Sequence, residues 1–175
     1  MKRKIFSILA VLLITTLTTS TVAAGGNVKL SGIQFSLSSL VASGFASGLG
    51  NTDVTVVLEA SGIPVVTCTN NGGTQAAGQN PVDISASGAE YLVHETYTRN
   101  GRSAFNVETE DPQTGLTAQD LGCANNNWTA TIDFVFWTEA TLSVYDTATN
   151  ALLTQQDFTC VTTRFPASVS CTPIP

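Results

Sequence analysis

Residues 128–137 read Trp-Thr-Ala-Thr-Ile-Asp-Phe-Val-Phe-Trp, the stretch that decides the fold class of the chain. Apolar residues recur at every second position, and alternation with a period of two predicts a β-strand. One side carries Trp128, Ala130, Ile132, Phe134 and Phe136. Val135 and Trp137 accompany Asp133 on the other side, so we expect a strand that is covered on both faces and lies at the centre of its sheet.

Similar alternation, rich in Thr, Val and Ile, recurs in shorter runs along the chain, and Gly, Asn and Pro separate the runs. We predict further strands over residues 28–37, 40–49, 54–59, 65–68, 82–86, 91–99, 102–110, 141–145 and 152–160. Asn100-Gly101 fits a type I′ hairpin turn, which needs two residues that tolerate positive φ. Residues 61–64, Ser-Gly-Ile-Pro, are predicted to interrupt the strand that begins at residue 54. Small residues fill one side of residues 40–49, where we expect another backbone or sheet to approach closely.

The first 24 residues have the pattern of a secretory signal peptide of bacterial style. Lys2-Arg3-Lys4 is basic, residues 5–17 are apolar, and small residues end the segment at Ala24. An uncleaved anchor is the alternative reading. We expect residues 1–24 to be removed and residues 25–175 to form a single domain that is secreted or held at the cell surface.

Charged residues make up only 11% of the chain, and the net charge is −6. Loss of the leader leaves four basic residues against 13 acidic ones, a net charge of −9. Such a surface repels phosphate backbones and anionic lipids, so we expect no nucleic-acid partner and no membrane insertion after signal cleavage. A glycan or a cell-surface protein is the partner class that this charge leaves open, and an oligomer or filament is also possible.

Four cysteines lie beyond the leader, and an exported chain with an even number of cysteines is expected to form disulfides. Three pairings are possible. We favour Cys68–Cys123 with Cys160–Cys171, because residues 161–170 could fold back on themselves and let two strands meet. The first bridge would close a long loop, worth about 4 kcal/mol on the chain-entropy model. No C-x-x-C pair is present, so neither a zinc site nor another cofactor is expected.

Short strands closed by turns predict an all-β fold, a single antiparallel β-sandwich stapled by two disulfides. The layout resembles that of immunoglobulin-like or related two-sheet Greek-key modules, a likeness of architecture and not of a family motif. The antibody form is disfavoured because no Trp lies between Cys68 and Cys123.

Two Asn-rich segments, one after Cys68 and one after Cys123, form the candidate binding site. The favoured disulfide would bring them to one end of the sandwich, where amides could bind sugar hydroxyls and a Trp could stack on a sugar. The candidate residues are Asn70, Asn71, Gln75, Asn126 and Trp128. The competing interpretation is structural, since Asn and Gly are ordinary turn formers.

Candidate catalytic groups are few. His94 is the single histidine, no G-x-S-x-G elbow occurs, and Glu108 and Glu110 share a strand face about 7 Å apart. A small secreted hydrolase built on these three residues is the third hypothesis. A non-enzymatic structural or adhesion-type module comes first and a carbohydrate-binding module second, so we do not expect an enzyme.

Overall fold

The computed structural model of the chain describes residues 27–37, 39–112 and 115–175. The predicted signal peptide, residues 1–24, lies outside the described residues. Within them the chain forms nine β-strands and one three-residue 3-10 helix, His94–Thr96. The strands are β1 Lys29–Leu37, β2 Leu40–Ser47, β3 Val54–Thr69, β4 Gln75–Ala77, β5 Ile84–Leu92, β6 Ser103–Glu108, β7 Thr129–Asp146, β8 Leu152–Arg164 and β9 Ala167–Pro173.

The strands form two antiparallel sheets, as the alternation predicted. A small sheet has the order β1-β2-β6. A large sheet, curved as a half-barrel, has the order β4-β3-β7-β8-β9, and β5 pairs with β3 on the edge that also carries β4. The prediction of an all-β chain with two sheets and two disulfides is confirmed.

The core lies between the sheets. Even-numbered residues of β3 face it throughout the strand, and Val54, Val56 and Leu58 are completely buried. β2 contributes its small side, with Ala42 and Ala46 also completely buried. The small residues of this segment therefore lie where the other sheet approaches, as predicted.

The predicted break at residues 61–64 is wrong, because β3 runs without interruption from Val54 to Thr69. Every residue of β3 has a partner on β7. On the other edge of β3, the first residue of β5 lies opposite Gly62 and the last residue of β4 lies opposite Thr67. Pro64 lies between β5 and β4, where β3 has no neighbouring strand on this edge. A residue without a backbone N–H is tolerated best at such an unpaired position.

The predicted faces of the central strand are also wrong in part. β7 is central, between β3 and β8, but it extends to Asp146 and carries one extra residue at Asp133 and another at Thr138. Each extra residue shifts the alternation by one position. Val135 and Trp137 therefore enter the core, while the neighbouring Phe134 and Phe136 remain only half-buried and pack edge-to-face on each other.

The Asn100-Gly101 turn is present, with φ of 73° and 60°, but the long hairpin predicted around it is not. A single bridge, Thr98 to Arg102, joins its two sides. The flanking strands go to different sheets, since β5 pairs with β3 and β6 pairs with β2. The hairpin predicted between residues 141 and 160 is confirmed as β7–β8.

The two sheets are in backbone contact where β5 of the large sheet passes β6 of the small one. The Glu110 N–H donates to the Ser87 carbonyl at 2.9 Å, and the Asn106 N–H donates to the Glu90 carboxylate. A Cβ on Gly88 would overlap the carbonyl oxygen of Glu108. Glycine at this position therefore sets the distance between the sheets.

We expect Gly88→Ala to lower the free energy of unfolding by about 2 kcal/mol or more, because the backbone of Glu108 has to move to admit the methyl group. Urea unfolding followed by tryptophan fluorescence measures the change. Ser87→Ala, on the exposed side of the same strand, is the control and should change stability by less than about 0.5 kcal/mol. Equal stability of Gly88→Ala and the native chain would contradict this account of the contact.

Candidate functional site

The two disulfides join the pairs that the sequence favoured. Cys68–Cys123 links residues 55 positions apart and ties the end of β3 to the loop that precedes β7, with a Cα–Cα distance of 5.6 Å. Cys160–Cys171 joins directly opposed residues of β8 and β9. The first bridge therefore brings the two Asn-rich segments to the same end of the large sheet.

The first Asn-rich segment is organised by Asn70. Its side-chain Oδ1 accepts hydrogen bonds from the backbone N–H groups of Gly72 and Thr74, both at 2.9 Å. Asn70 thus forms a turn, which is the structural role that competed with binding. Asn71 and Gln75 are exposed to solvent.

The second segment is also turn-forming. Asn126 Oδ1 accepts the N–H of Gln119 at 3.0 Å, which fastens this loop to the turn that begins at Thr117. The Leu121 N–H donates to the Thr117 carbonyl, which closes one hydrogen-bonded turn. Hydrogen bonds from the hydroxyl and the backbone N–H of Thr117 hold the pKa of the Asp120 carboxyl below its usual value.

Trp128 lies between two surface depressions at this end of the sheet. One, of about 410 Å³, includes Gln79 and Gln119 beside the Cys68–Cys123 bridge. The other, of about 490 Å³, includes Asn126. Asn70, Asn71 and Gln75 line neither, so only Asn126 and Trp128 of the five predicted residues share a depression, and a binding role for the five stays a prediction.

The residues that sequence reasoning missed here are Gln79 and Gln119, two amides beside the indole of Trp128. Gln79 reaches the site because its N–H donates to the Gly122 carbonyl at 2.8 Å, across the disulfide-linked loops. The sequence signal was present, since Gln79 lies in the same polar loop as Asn70. Nothing in the spacing distinguished it from its neighbours.

A second polar cluster surrounds Asp53, in the turn before β3. Asp53 Oδ1 lies 2.6 Å from His94 Nδ1 and accepts the His94 backbone N–H at 2.8 Å, and Oδ2 accepts the Tyr91 hydroxyl at 2.7 Å. These hydrogen bonds, that from the His94 backbone first, lower the pKa of Asp53 to about 2. Donation to the Asp53 carboxylate raises the pKa of Tyr91. His94 was a candidate residue in the sequence, but its partner Asp53 was not.

The carboxylates of the hydrolase hypothesis lie elsewhere. The backbone of Glu108 lies against Gly88, which is four residues before the end of β5. About 13 Å of strand therefore separates Glu108 from the turn that holds His94. Glu110 follows β6 and is exposed. The structure therefore does not bring Glu108 and Glu110 together with His94.

The end of the β8–β9 hairpin is a further exposed feature, and we call residues Thr163–Ser168 the hairpin tip. Every residue of the tip is exposed, and the Phe165 side chain is 86% accessible. Thr163 Oγ1 donates to the Pro166 carbonyl or shares a hydrogen bond with Ser168 Oγ, 2.7 Å away, which fixes the turn. The sequence predicted that residues 161–170 fold back and let two strands meet, but Phe165 was not among the predicted site residues.

Within residues 27–37, 39–112 and 115–175, no group of three or more His, Cys, Asp or Glu side chains is arranged to hold a metal ion. Over the same residues no helix has the length and apolar character needed to cross a membrane. Comparisons of the chain with protein-family models, with curated proteins and with solved structures found no match.

The Asp53 cluster makes the stability of the fold sensitive to acid. Because the pKa of Asp53 is about 2 against an ordinary 3.8, its ionised form stabilises the fold above about pH 4, and this contribution is lost as the pH falls toward 2. We expect Asp53→Asn to lower the Tm near neutral pH, with the difference from the native chain shrinking as the pH falls through this range.

Thermal unfolding at a series of pH values measures this effect, and NMR titration of the Asp53 carboxyl carbon reads the pKa directly. Asp83→Asn, at an exposed aspartate between β4 and β5, is the charge-matched control. An Asp53 titration near 3.8 would show that the hydrogen bonds from His94 and Tyr91 do not form in solution.

Proposed function

We propose that the protein is exported and acts outside the cytoplasm as a non-enzymatic structural or adhesion-type module, which makes contact through the tip of its β8–β9 hairpin. The observation that carries the proposal is the exposed Phe165, held at the end of a turn whose strands are joined by Cys160–Cys171. The separation of Glu108 and Glu110 from His94 is in keeping with a role that needs no reactive centre.

The strand order supports an immunoglobulin-like Greek-key assignment for this module. The order β1-β2-β6 corresponds to A-B-E of that fold, and β5-β3-β7-β8 corresponds to C′-C-F-G. The chain crosses between the sheets after β2, β5 and β6, as it does in that fold after B, C′ and E. β9 is an addition beyond G, and it forms the hairpin that we propose as the contact element.

Two disulfides support export, because such bonds persist in oxidising compartments and are rare in the cytosol. The signal-peptide pattern of residues 1–24 points the same way. An acidic surface with four basic residues beyond the leader favours protein or glycan contacts over nucleic acid.

The hairpin tip has the composition of a contact element. Phe165 in the tip is 86% exposed, and Val161 on the adjoining part of β8 is 66% exposed. Aromatic and arginine side chains are enriched at protein interfaces, and Arg164 lies beside Phe165, 5.4 Å from the ring centre. The hydrogen bonds of Thr163 order the turn before contact, which reduces the entropy lost on binding.

We expect Phe165→Ser to leave export and folding unchanged but to release the protein from the surface of the cells that produce it, because the anchor of the contact is lost. Antibody labelling of intact, washed cells and of the medium measures the distribution. Leu152→Ser, at an exposed residue of the opposite end of β8, is the matched control. Equal retention of Phe165→Ser and the native chain, or cytoplasmic location of the native chain, would overturn the proposal.

Carbohydrate binding at Trp128 is the second candidate function, favoured by the position of its indole between the two depressions. Gln79, Gln119 and Asn126 surround the ring with amides, which can donate and accept hydrogen bonds with sugar hydroxyls. The indole is only partly exposed and also packs on the core. This site lies at the end of β3 and does not include the hairpin tip.

We expect Trp128→Ala to abolish retention on insoluble polysaccharides if this second function holds, since the stacking surface disappears. Gln119→Ala, at an exposed residue, should weaken retention without the loss of packing that Trp128→Ala entails. Circular dichroism of both variants checks the fold. Absence of retention by the native chain on a panel of cell-wall and plant polysaccharides would exclude this candidate for those sugars.

A further inference from the structure

We propose that the hairpin tip binds a second copy of the chain, and that two copies form a dimer by each inserting Phe165 into a groove of the other. The groove lies beside residues 132–137 of β7, and its lining includes Leu37, Asp111, Pro112, Ile132, Asp133 and Phe134. This inference rests on the proposed function and names the partner of its contact element.

The groove combines apolar side chains with carboxylates. Its volume is about 360 Å³, and Leu37, Ile132 and Phe134 supply apolar surface while Asp111 and Asp133 supply the acidic groups. The Asp133 side chain stands at the extra residue of β7, exposed and oriented by the Thr67 hydroxyl, which donates to Oδ2 at 2.6 Å. A partner that inserts an aromatic ring and carries a neighbouring cation fits these two features.

The hairpin tip carries that combination. Phe165 is the ring, and Arg164 precedes it as the cation. The other three basic residues beyond the leader, Lys29, Arg99 and Arg102, lie far from the tip along the chain, and Arg102 is stacked on the Phe45 ring at 3.8 Å. Arg164 is therefore the basic residue that we expect to pair with Asp133 of the other copy.

The tip cannot reach the groove of its own chain. Thr162 Oγ1 donates to the Trp137 carbonyl at 2.9 Å, so the base of the hairpin lies beside the groove. Phe165 is three residues further on, about 10 Å along the strand. The β8–β9 pairing continues to Arg164 opposite Ala167, and Cys160–Cys171 holds its base, so the hairpin does not bend back.

The neighbouring positions of hairpin and groove favour a two-fold arrangement. When two such patches lie side by side on one face, a two-fold axis between the copies places each tip in the opposite groove, and the assembly closes as a dimer. Two insertions per dimer bury both Phe165 rings. The contact area per insertion is small, so we expect a weak, concentration-dependent dimer.

Sedimentation velocity over a wide concentration series tests the proposal, with the chain exported from a bacterial host and both disulfides formed. The native chain should pass from monomer to dimer, and Phe165→Ala should raise the dimer Kd at least about tenfold. Arg164→Asp and Asp133→Arg should each weaken the dimer because they place like charges together. An equimolar mixture of these two variants should restore it, since each tip then meets a groove of opposite charge.

Arg99→Asp and Asp83→Arg, which reverse exposed charges elsewhere, should leave the native dimer unchanged. A native chain that stays monomeric, charge variants that dimerise normally, or a mixture that fails to recover would each overturn the proposal. A ladder of larger species in place of a dimer would overturn the two-fold arrangement. If the native chain is monomeric and Phe165→Ser is still lost from the cell surface, the proposed function stands and the tip binds a different molecule.

Discussion

The ladder between β3 and β7 is the constraint on which the rest of the structure depends. Every residue of β3 is paired with β7, and β5, β4 and β8 add to the two outer edges of this pair. The two ends of β3 also carry the polar features of the molecule. Asp53, which binds Tyr91 and His94, lies directly before the strand, and the Cys68 bridge near Trp128 lies at its far end. Both polar features therefore lie in turns and loops that are attached to the ends of this ladder.

The two extra residues of β7 link the fold to the proposed contact. The one at Asp133 turns Val135 and Trp137 into the core and leaves Phe134 at the wall of the groove. The one at Thr138 lies next to Glu139, which pairs with Thr159 and is the first residue of β7 in the β7–β8 ladder. Beyond Thr159 the backbone ladder stops, although the Thr162 hydroxyl still donates to the Trp137 carbonyl. One extra residue of β7 thus shapes the groove, and the other lies where the β7–β8 ladder stops and the β8–β9 hairpin continues.

The sequence predicted the class of fold, the two disulfides and most strand positions, because period-two alternation and turn residues are local signals. It failed where the outcome depends on neighbouring strands. Pro64 was predicted to break β3, but the strand tolerates it because neither β5 nor β4 pairs with that part of β3. Asn100-Gly101 predicted a turn correctly, but not that its flanking strands belong to different sheets. For the site, composition indicated the Asn-rich loops, while the partnership of Asp53 with His94 spans 41 positions and left no local trace.

The position of Cys160 has a physical reason that follows from the same ladder. Thr159 is the last residue of β8 with a partner on β7, and Cys160 is the next. A two-stranded hairpin is only marginally stable in water by itself. Beyond Thr159 the β8–β9 pair lacks the backbone ladder to β7, and the covalent bond at Cys160 adds to the hydrogen bonds that join its two strands. The disulfide joins the strands below the tip and the Thr163 hydrogen bonds hold the turn, so the exposed Phe165 is presented at the end of an ordered hairpin.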